Sequence, residues 1–217
     1  PTGSSGYVTM NAQGQSTSGT GNPWLENDLV FGFGSDFTSP GRPANEWGRG
    51  TASPVVTQMN SMEDYATYNL AVTLSDGARN LHTVFGTVNS PMSVPAAFQV
   101  EAPFGANIGG VSPAVYGAAG GEVSQYDSWL TVGITDGSIQ SRTSATLSTV
   151  GIDFAQWTET SPLMSTDGAV FYMDPDSGPS GTVAVAQLTV PIGSSGVATM
   201  GMTGKSTSGL GEPWMNE

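Results

Sequence analysis

The chain has 217 residues, no cysteine, and five basic against eighteen acidic residues, for a formal charge of −13. That length buries one core plus an appendage. The missing cysteines exclude a disulfide frame and thiolate metal sites, and the scarcity of cations argues against nucleic acid and anionic membrane surfaces as partners.

Only 11% of the residues are charged, so much of the surface is Gly, Ser, Thr, Asn and Gln. Such a surface is buried at contacts with little desolvation of charge. Thirty Gly and fourteen Pro predict many turns and no long helix. No apolar run has the length of a membrane span, and the start lacks a charged segment followed by an apolar one, so the reading is a mature or excerpted chain without a membrane span.

Residues 1–27 read PTGSSGYVTMNAQGQSTSGTGNPWLEN and residues 191–217 read PIGSSGVATMGMTGKSTSGLGEPWMNE. Aligned without a gap at an offset of 190, they share 15 of 27 residues, including the GSSG run, Thr-Met, STSG and Pro-Trp. Long-period self-similarity marks an array of similar units. The expectation is a window on a tandem protein: 1–27 as the closing segment of a preceding repeat, 28–63 as an irregular connector, and 64–217 as one β-sandwich repeat unit.

In chain order, 6–17 alternates as a strand and breaks at Gly14 and Gly19. This arm strand must pair with a preceding unit, a neighbouring chain or the edge of its own unit. Residues 22–54 are rich in Pro and Gly but carry Trp24, Phe31, Phe33, Phe37 and Trp47, more rings than a plain linker holds. A short helical turn is predicted at 61–66. A hairpin follows, from 65–74 through Ser75-Asp76-Gly77 to 80–88, its Asp-Gly supplying the positive φ of a tight turn.

Proline-punctuated loop and a glycine-rich tract at 105–121 lead to predicted strands at 126–135, 145–154, 169–173, 182–190 and 197–203. Many short strands separated by turn residues, without a convincing helix, predict an all-β fold: an antiparallel β-sandwich, jelly-roll-like or Ig-like, with a long irregular connector and an N-terminal arm strand.

Chemistry-bearing constellations are sparse. His82 is the single histidine, too few for a multi-histidine zinc site, and reads as structural. Asp174-Pro-Asp176-Ser-Gly178 resembles the start of a calcium loop, with two oxygen ligands one residue apart; Asp174 and Asp176 are the metal candidates, and a proline-containing turn is the plain alternative. Asp127 and Glu159 are the carboxylates to weigh for glycoside hydrolysis, with Tyr126, Trp129 and Trp157 as sugar-stacking or core aromatics. The Gly-rich tracts lack the setting and the lysine of a phosphate loop. No catalytic residue or cofactor is assigned, and calcium is the ligand to test.

The Pro-Trp pair recurs at the same place in the period, so Pro23, Trp24, Pro213 and Trp214 are candidate assembly contacts, joined by Tyr7 and Met10 of the arm. A buried aromatic in a neighbour's pocket is the residue type that dominates contact energetics; packing on its own domain is the alternative.

The segments SDGARNLHTVFG, APFGANIGG, YDSWLTVGITDG, VGIDFAQWT, DGAVFYMDPDSGPSGTVAVAQLTVP and GSSGVATMGMTGKSTSG, spread over 64–209, resemble the pyrenoid shell proteins of diatoms and related algae. The resemblance implies a lattice-forming structural protein of repeated β-domains, without catalysis, around the Rubisco matrix in the chloroplast. The expected function is therefore self-assembly of identical subunits into a sheet, tube or filament. The alternative is a secreted or cell-surface adhesin-like domain that binds glycan or calcium.

Overall fold

The computed structural model describes the backbone of residues 6–12, 26–33, 52–75, 77–140, 146–207 and 213–216. The chain is all-β, an antiparallel sandwich; besides strands the described residues contain 3-10 turns and a single turn of helix, α1 (Gly137–Gln140). In order the strands are β1 (Gly6–Ala12), β2 (Glu26–Phe33), β3 (Ala52–Met62), β4 (Tyr65–Leu74), β5 (Thr83–Phe85), β6 (Met92–Val94) and β7 (Trp129–Leu130). Then come β8 (Leu147–Val150), β9 (Leu163–Ser165), β10 (Ala169–Tyr172), β11 (Thr182–Pro191), β12 (Gly201–Lys205) and β13 (Pro213–Asn216).

One sheet runs β2-β1-β13-β12-β5-β10-β8, a second runs β3-β4-β11-β7, and β6-β9 form a small ladder. Strand β4 buries Thr67 and Ala71 on one face and turns Ala66, Tyr68, Leu70 and Val72 of the other into the core. From the facing sheet come Val84 of β5, Leu147 of β8, Val170 and Tyr172 of β10, and Met202 of β12, all in one cluster with them.

Opposite β4, strand β11 carries a bulge between Ala184 and Ala186. The extra residue shifts the phase of alternation, so Val183 and Val185 are buried before the bulge and Ala186, Leu188 and Val190 after it. A strict alternation over 182–190 would have put those two sets on opposite faces.

Several expectations are corrected. The connector predicted as irregular over 28–63 contributes most of β2 and all of β3, and β3 pairs with β4 over its full length. Its Pro54 is tolerated because β3 is the terminal strand of its sheet, where a missing N–H breaks no ladder. The helical turn predicted at 61–66 is instead the β3–β4 hairpin, turning at Glu63 and Asp64 with Met62 opposite Tyr65.

The hairpin predicted between 65–74 and 80–88 does not form. Both edges of β4 are taken, by β3 and β11, and the chain crosses to the other sheet, where β5 pairs with β10 and β12. Fully buried Leu81 and Val84 tie that crossing to the core. The strand predicted over 126–135 is reduced to Trp129–Leu130, and that predicted at 197–203 lies at Gly201–Lys205, preceded by an isolated bridge from Thr199 to Ser93.

Candidate assembly interface

The closing segment of the chain, 191–216, is locked into the domain. Its entry is a turn in which Ser194 N–H and Oγ–H both donate to the Pro191 carbonyl oxygen, and Gly193 takes a φ of 92°, open to glycine at little cost. Thr199 exchanges both backbone hydrogen bonds with Ser93, at 2.6 and 2.7 Å, and its hydroxyl donates to the Pro91 carbonyl oxygen at 2.9 Å. Ala198, Met200 and Met202, spaced two apart, are at most 1% exposed and belong to the core.

Beyond them β12 pairs with β5 through Gly201 and Phe85, Met202 and Val84, and Thr203 and Thr83. Arg79 and Asn80 N–H both donate to the Lys205 carbonyl oxygen, and Lys205 N–H donates to Asn80 Oδ1 at 2.7 Å. On its other edge β12 forms a hairpin with β13, in which Gly204 faces Trp214 and Met202 faces Asn216.

The opening segment forms the same kind of hairpin. Strand β1 pairs with β2, and Ala12 faces Glu26. That pair corresponds to the Met202–Asn216 pair once the 190-residue offset is applied; the remaining β1–β2 pairs, Gly6–Met10 with Leu29–Phe33, use residues of β2 beyond the duplicated segment. The two hairpins lie side by side: β1 pairs antiparallel with β13, Ala12 facing Asn216. Strand β1 thus meets β13 along the edge that β12 turns towards β5.

Of the candidate assembly residues, Tyr7 and Met10 lie on β1, and Pro213 and Trp214 on β13. Pro23 and Trp24 lie outside the described residues.

The calcium candidates have other partners. Asp174 caps the 3-10 turn Pro175–Ser177, accepting from Asp176 N–H at 3.0 Å and from the Ser177 hydroxyl at 2.7 Å. That hydroxyl, above all, holds its carboxyl below the ordinary carboxylate value. Asp176 Oδ1 accepts from the Lys205 ammonium and lies 3.6 Å from the Arg79 guanidinium. The Asp-Pro-Asp turn therefore anchors β12, a role invisible without the fold because Lys205 is 29 residues away. Among the described residues, no three His, Asp or Glu side chains are grouped to hold a metal ion.

The other candidates are also built into the scaffold. Asp127 is fully buried and accepts from the N–H groups of Val100 at 2.8 Å, Ala106 at 2.6 Å and Ser128 at 3.0 Å. Burial pushes its carboxyl up to about 6 against the pull of those three donors. The carboxylate organises the loop between β6 and β7, donors that no sequence spacing announces. Glu159 is exposed and accepts from the Tyr65 hydroxyl at 3.0 Å, so the two carboxylates have separate partners.

Trp129 and Trp157 are buried, the latter donating its ring N–H to the Pro95 carbonyl oxygen at 2.8 Å. His82 Nδ1 is hydrogen-bonded to the Thr83 hydroxyl at 2.9 Å, and burial, helped by the nearby Lys205 charge, pushes its pKa down to about 4. No helix among the described residues is long and apolar enough to cross a membrane. No protein family, curated protein or solved structure matches the chain.

Proposed function

We propose that this chain is a self-assembling structural protein whose copies join strand to strand into a sheet, tube or filament. The observation that carries the reading is the second hairpin, built from the duplicated segment, with its Ala12–Glu26 pair matching the Met202–Asn216 pair of the closing copy. Duplicated closing elements suit a module copied into an array.

Surface chemistry supports the same reading. The terminal strand β3 is eleven residues long and carries no charge, with Val55 and Met59 37% and 60% exposed. Monomeric proteins guard such edges with lysine, bulges or short strands, and β3 has a bulge at Met59 but no lysine. Polar, weakly charged surface between strands is cheap to desolvate when copies meet.

We extend the proposal, on the resemblance over 64–209, to a non-catalytic shell around a Rubisco matrix in the chloroplast pyrenoid. The test is electron microscopy of the purified chain over a concentration series, with and without calcium. Ordered sheets, tubes or filaments are expected; a monodisperse monomer at every concentration overturns the reading. Saturable glycan or calcium binding by that monomer would favour a secreted adhesin-like module instead. Trp214→Ala is expected to abolish ordered assemblies while circular dichroism and the melting midpoint show a folded monomer, and normal assembly by this variant would remove Trp214 from the contact.

A further inference from the structure

The domain has one slot for a closing hairpin and two hairpins made to fill it. The slot is the edge formed by Gly77 to Phe85, together with Pro91 and Ser93 beside it. Most of its hydrogen bonds are to main-chain atoms of 199–207, which any residue but proline can supply.

Several of the side chains that the slot uses are preserved or replaced in kind in the opening copy; the exception is Lys205, whose contact with Asp176 has Gln15 at the matching position. Thr9 stands at the offset of Thr199, whose hydroxyl reaches Pro91, and Met10 at the offset of buried Met200. Val8 and Ala12 match Ala198 and Met202, keeping the core-facing triad apolar and trading one larger side chain for one smaller. Gly3 and Ser4 match Gly193 and Ser194, the residues of the entry turn. The positions that differ most in character include Tyr7 for Val197, which is 45% exposed in the closing copy and so makes no strict demand.

From this match we infer that the opening hairpin of one chain docks in the slot of a second copy, displacing that copy's own β12–β13 hairpin. In the exchanged state Asn11 faces Phe85, Ala12 faces Val84, and Thr9 faces Ser93. The displaced hairpin is not left with an open edge. Its β12 lies against the outer edge of the incoming β2, the same pairing that β1 makes with β13 within one chain. Backbone ladder hydrogen bonds are conserved on exchange while the Lys205–Asp176 ion pair is given up, and each chain is donor on one side and acceptor on the other. Such a heterologous contact propagates head to tail rather than closing into a two-fold dimer. The inference rests on the assembly reading and names the joint within it.

The chain has no cysteine, which makes disulfide trapping clean. Facing residues of antiparallel strands lie about 4.5–5.5 Å apart at Cα, inside the span of about 4.4–6.8 Å that a disulfide bridges. Full-length Asn11→Cys chains and full-length Phe85→Cys chains are mixed under assembly conditions and oxidised. Thr9→Cys mixed with Ser93→Cys is an independent pair should Phe85→Cys fail to fold. A Phe85→Cys, Gly201→Cys double variant, expected to close an intramolecular bond, reports folding of the slot.

The expected result is a disulfide-linked heterodimer from either mixture, absent when Asn11→Cys is mixed with Val150→Cys, an exposed position on β8. Adding Met10→Asp to the donor chain is expected to abolish the bond, because that side chain must enter the site of Met200. Ordered assemblies that give no heterodimer beyond the Val150→Cys control overturn the exchange and leave self-assembly standing. A heterodimer indifferent to Met10→Asp also overturns it, since the donor would then lie on the edge without entering the core. Monomers with no heterodimer overturn both.

Discussion

The two hairpins, β1–β2 and β12–β13, share the duplicated sequence of their first strands and one matching pair, but differ in what they are joined to. The closing copy is held by β5, by the Ser93 bridge, by the Asn80 and Asp176 side chains, and by three core residues. The opening copy pairs with its own domain through β13, and β2 also lies close to β3. Local pairing is therefore a property of the segment, whereas membership of the core is a property of the slot. A duplicated element cannot occupy a single slot twice, so one copy is surplus to the core of its own domain.

The sharpest way to break this comparison is to shorten the matched methionines. Met200→Ala is expected to cost about 2–5 kcal/mol, as for other buried large-to-small changes, whereas Met10→Ala is expected to change monomer stability by less than about 0.5 kcal/mol. Urea denaturation of both variants at low protein concentration checks this. Equal losses would mean that both hairpins are part of one core, and the contrast would fall.

A second contrast tests whether Asp127 is scaffold. Asp127→Asn places an amide donor where three backbone N–H groups already point, and an unsatisfied buried donor is expected to cost about 1–3 kcal/mol. The melting midpoint should fall while assembly of the folded protein persists; an unchanged midpoint would show that the loop it organises contributes nothing to stability.

Third in size are the turn glycines. Gly193→Ala forces a side chain into the left-handed region and is expected to cost about 1–2 kcal/mol, whereas Gly3→Ala should leave the monomer midpoint within about 0.5 kcal/mol of the parent. The exchange adds a further point: Gly3→Ala should weaken assembly where Gly193→Ala weakens the fold.

The smallest expected effect is a pH profile in which two terms oppose. The folded pKa of Asp127, about 6, exceeds its ordinary value of 3.8, so the folded state holds more protons and this group's contribution falls as pH rises from about 4 to about 6. The folded pKa of His82, about 4, lies below its ordinary 6.5, so the unfolded state holds more protons and stability rises with pH between about 4 and 6.5. Melting midpoints of the parent are expected to change little over pH 4–6. His82→Gln should unmask a decline with pH and Asp127→Asn a rise; the same slope in both variants would refute the assignment.

Strand β4 was legible as the run 65–74 ahead of the Ser75-Asp76-Gly77 turn; it is buried on both faces, with Thr67 and Ala71 as well as Ala66, Tyr68, Leu70 and Val72. The extent of β11 was read from the alternation of Val183, Val185, Gln187 and Thr189 with Ala184, Ala186, Leu188 and Val190, although the bulge at Val185 breaks that alternation. Strand β3 was not, because ASPVVTQMNSM alternates poorly and carries a proline; it is a strand because β4 presents an open ladder beside it. The 65–88 hairpin failed for a related reason. An Asp-Gly turn permits a reversal but does not choose the partner, and β11 offered β4 a longer, more apolar match.

The sequence by itself determined the all-β class, the 190-residue repeat and the two arms, since period-two alternation, turn residues and self-similarity are local properties of the chain. Only the tertiary structure decided which strands share a sheet, that Asp174 and Asp176 serve a turn and Lys205, and that Asp127 is buried among three N–H donors. Those outcomes depend on groups tens of residues apart competing for the same edges and the same interior, and no short-range spacing records who wins.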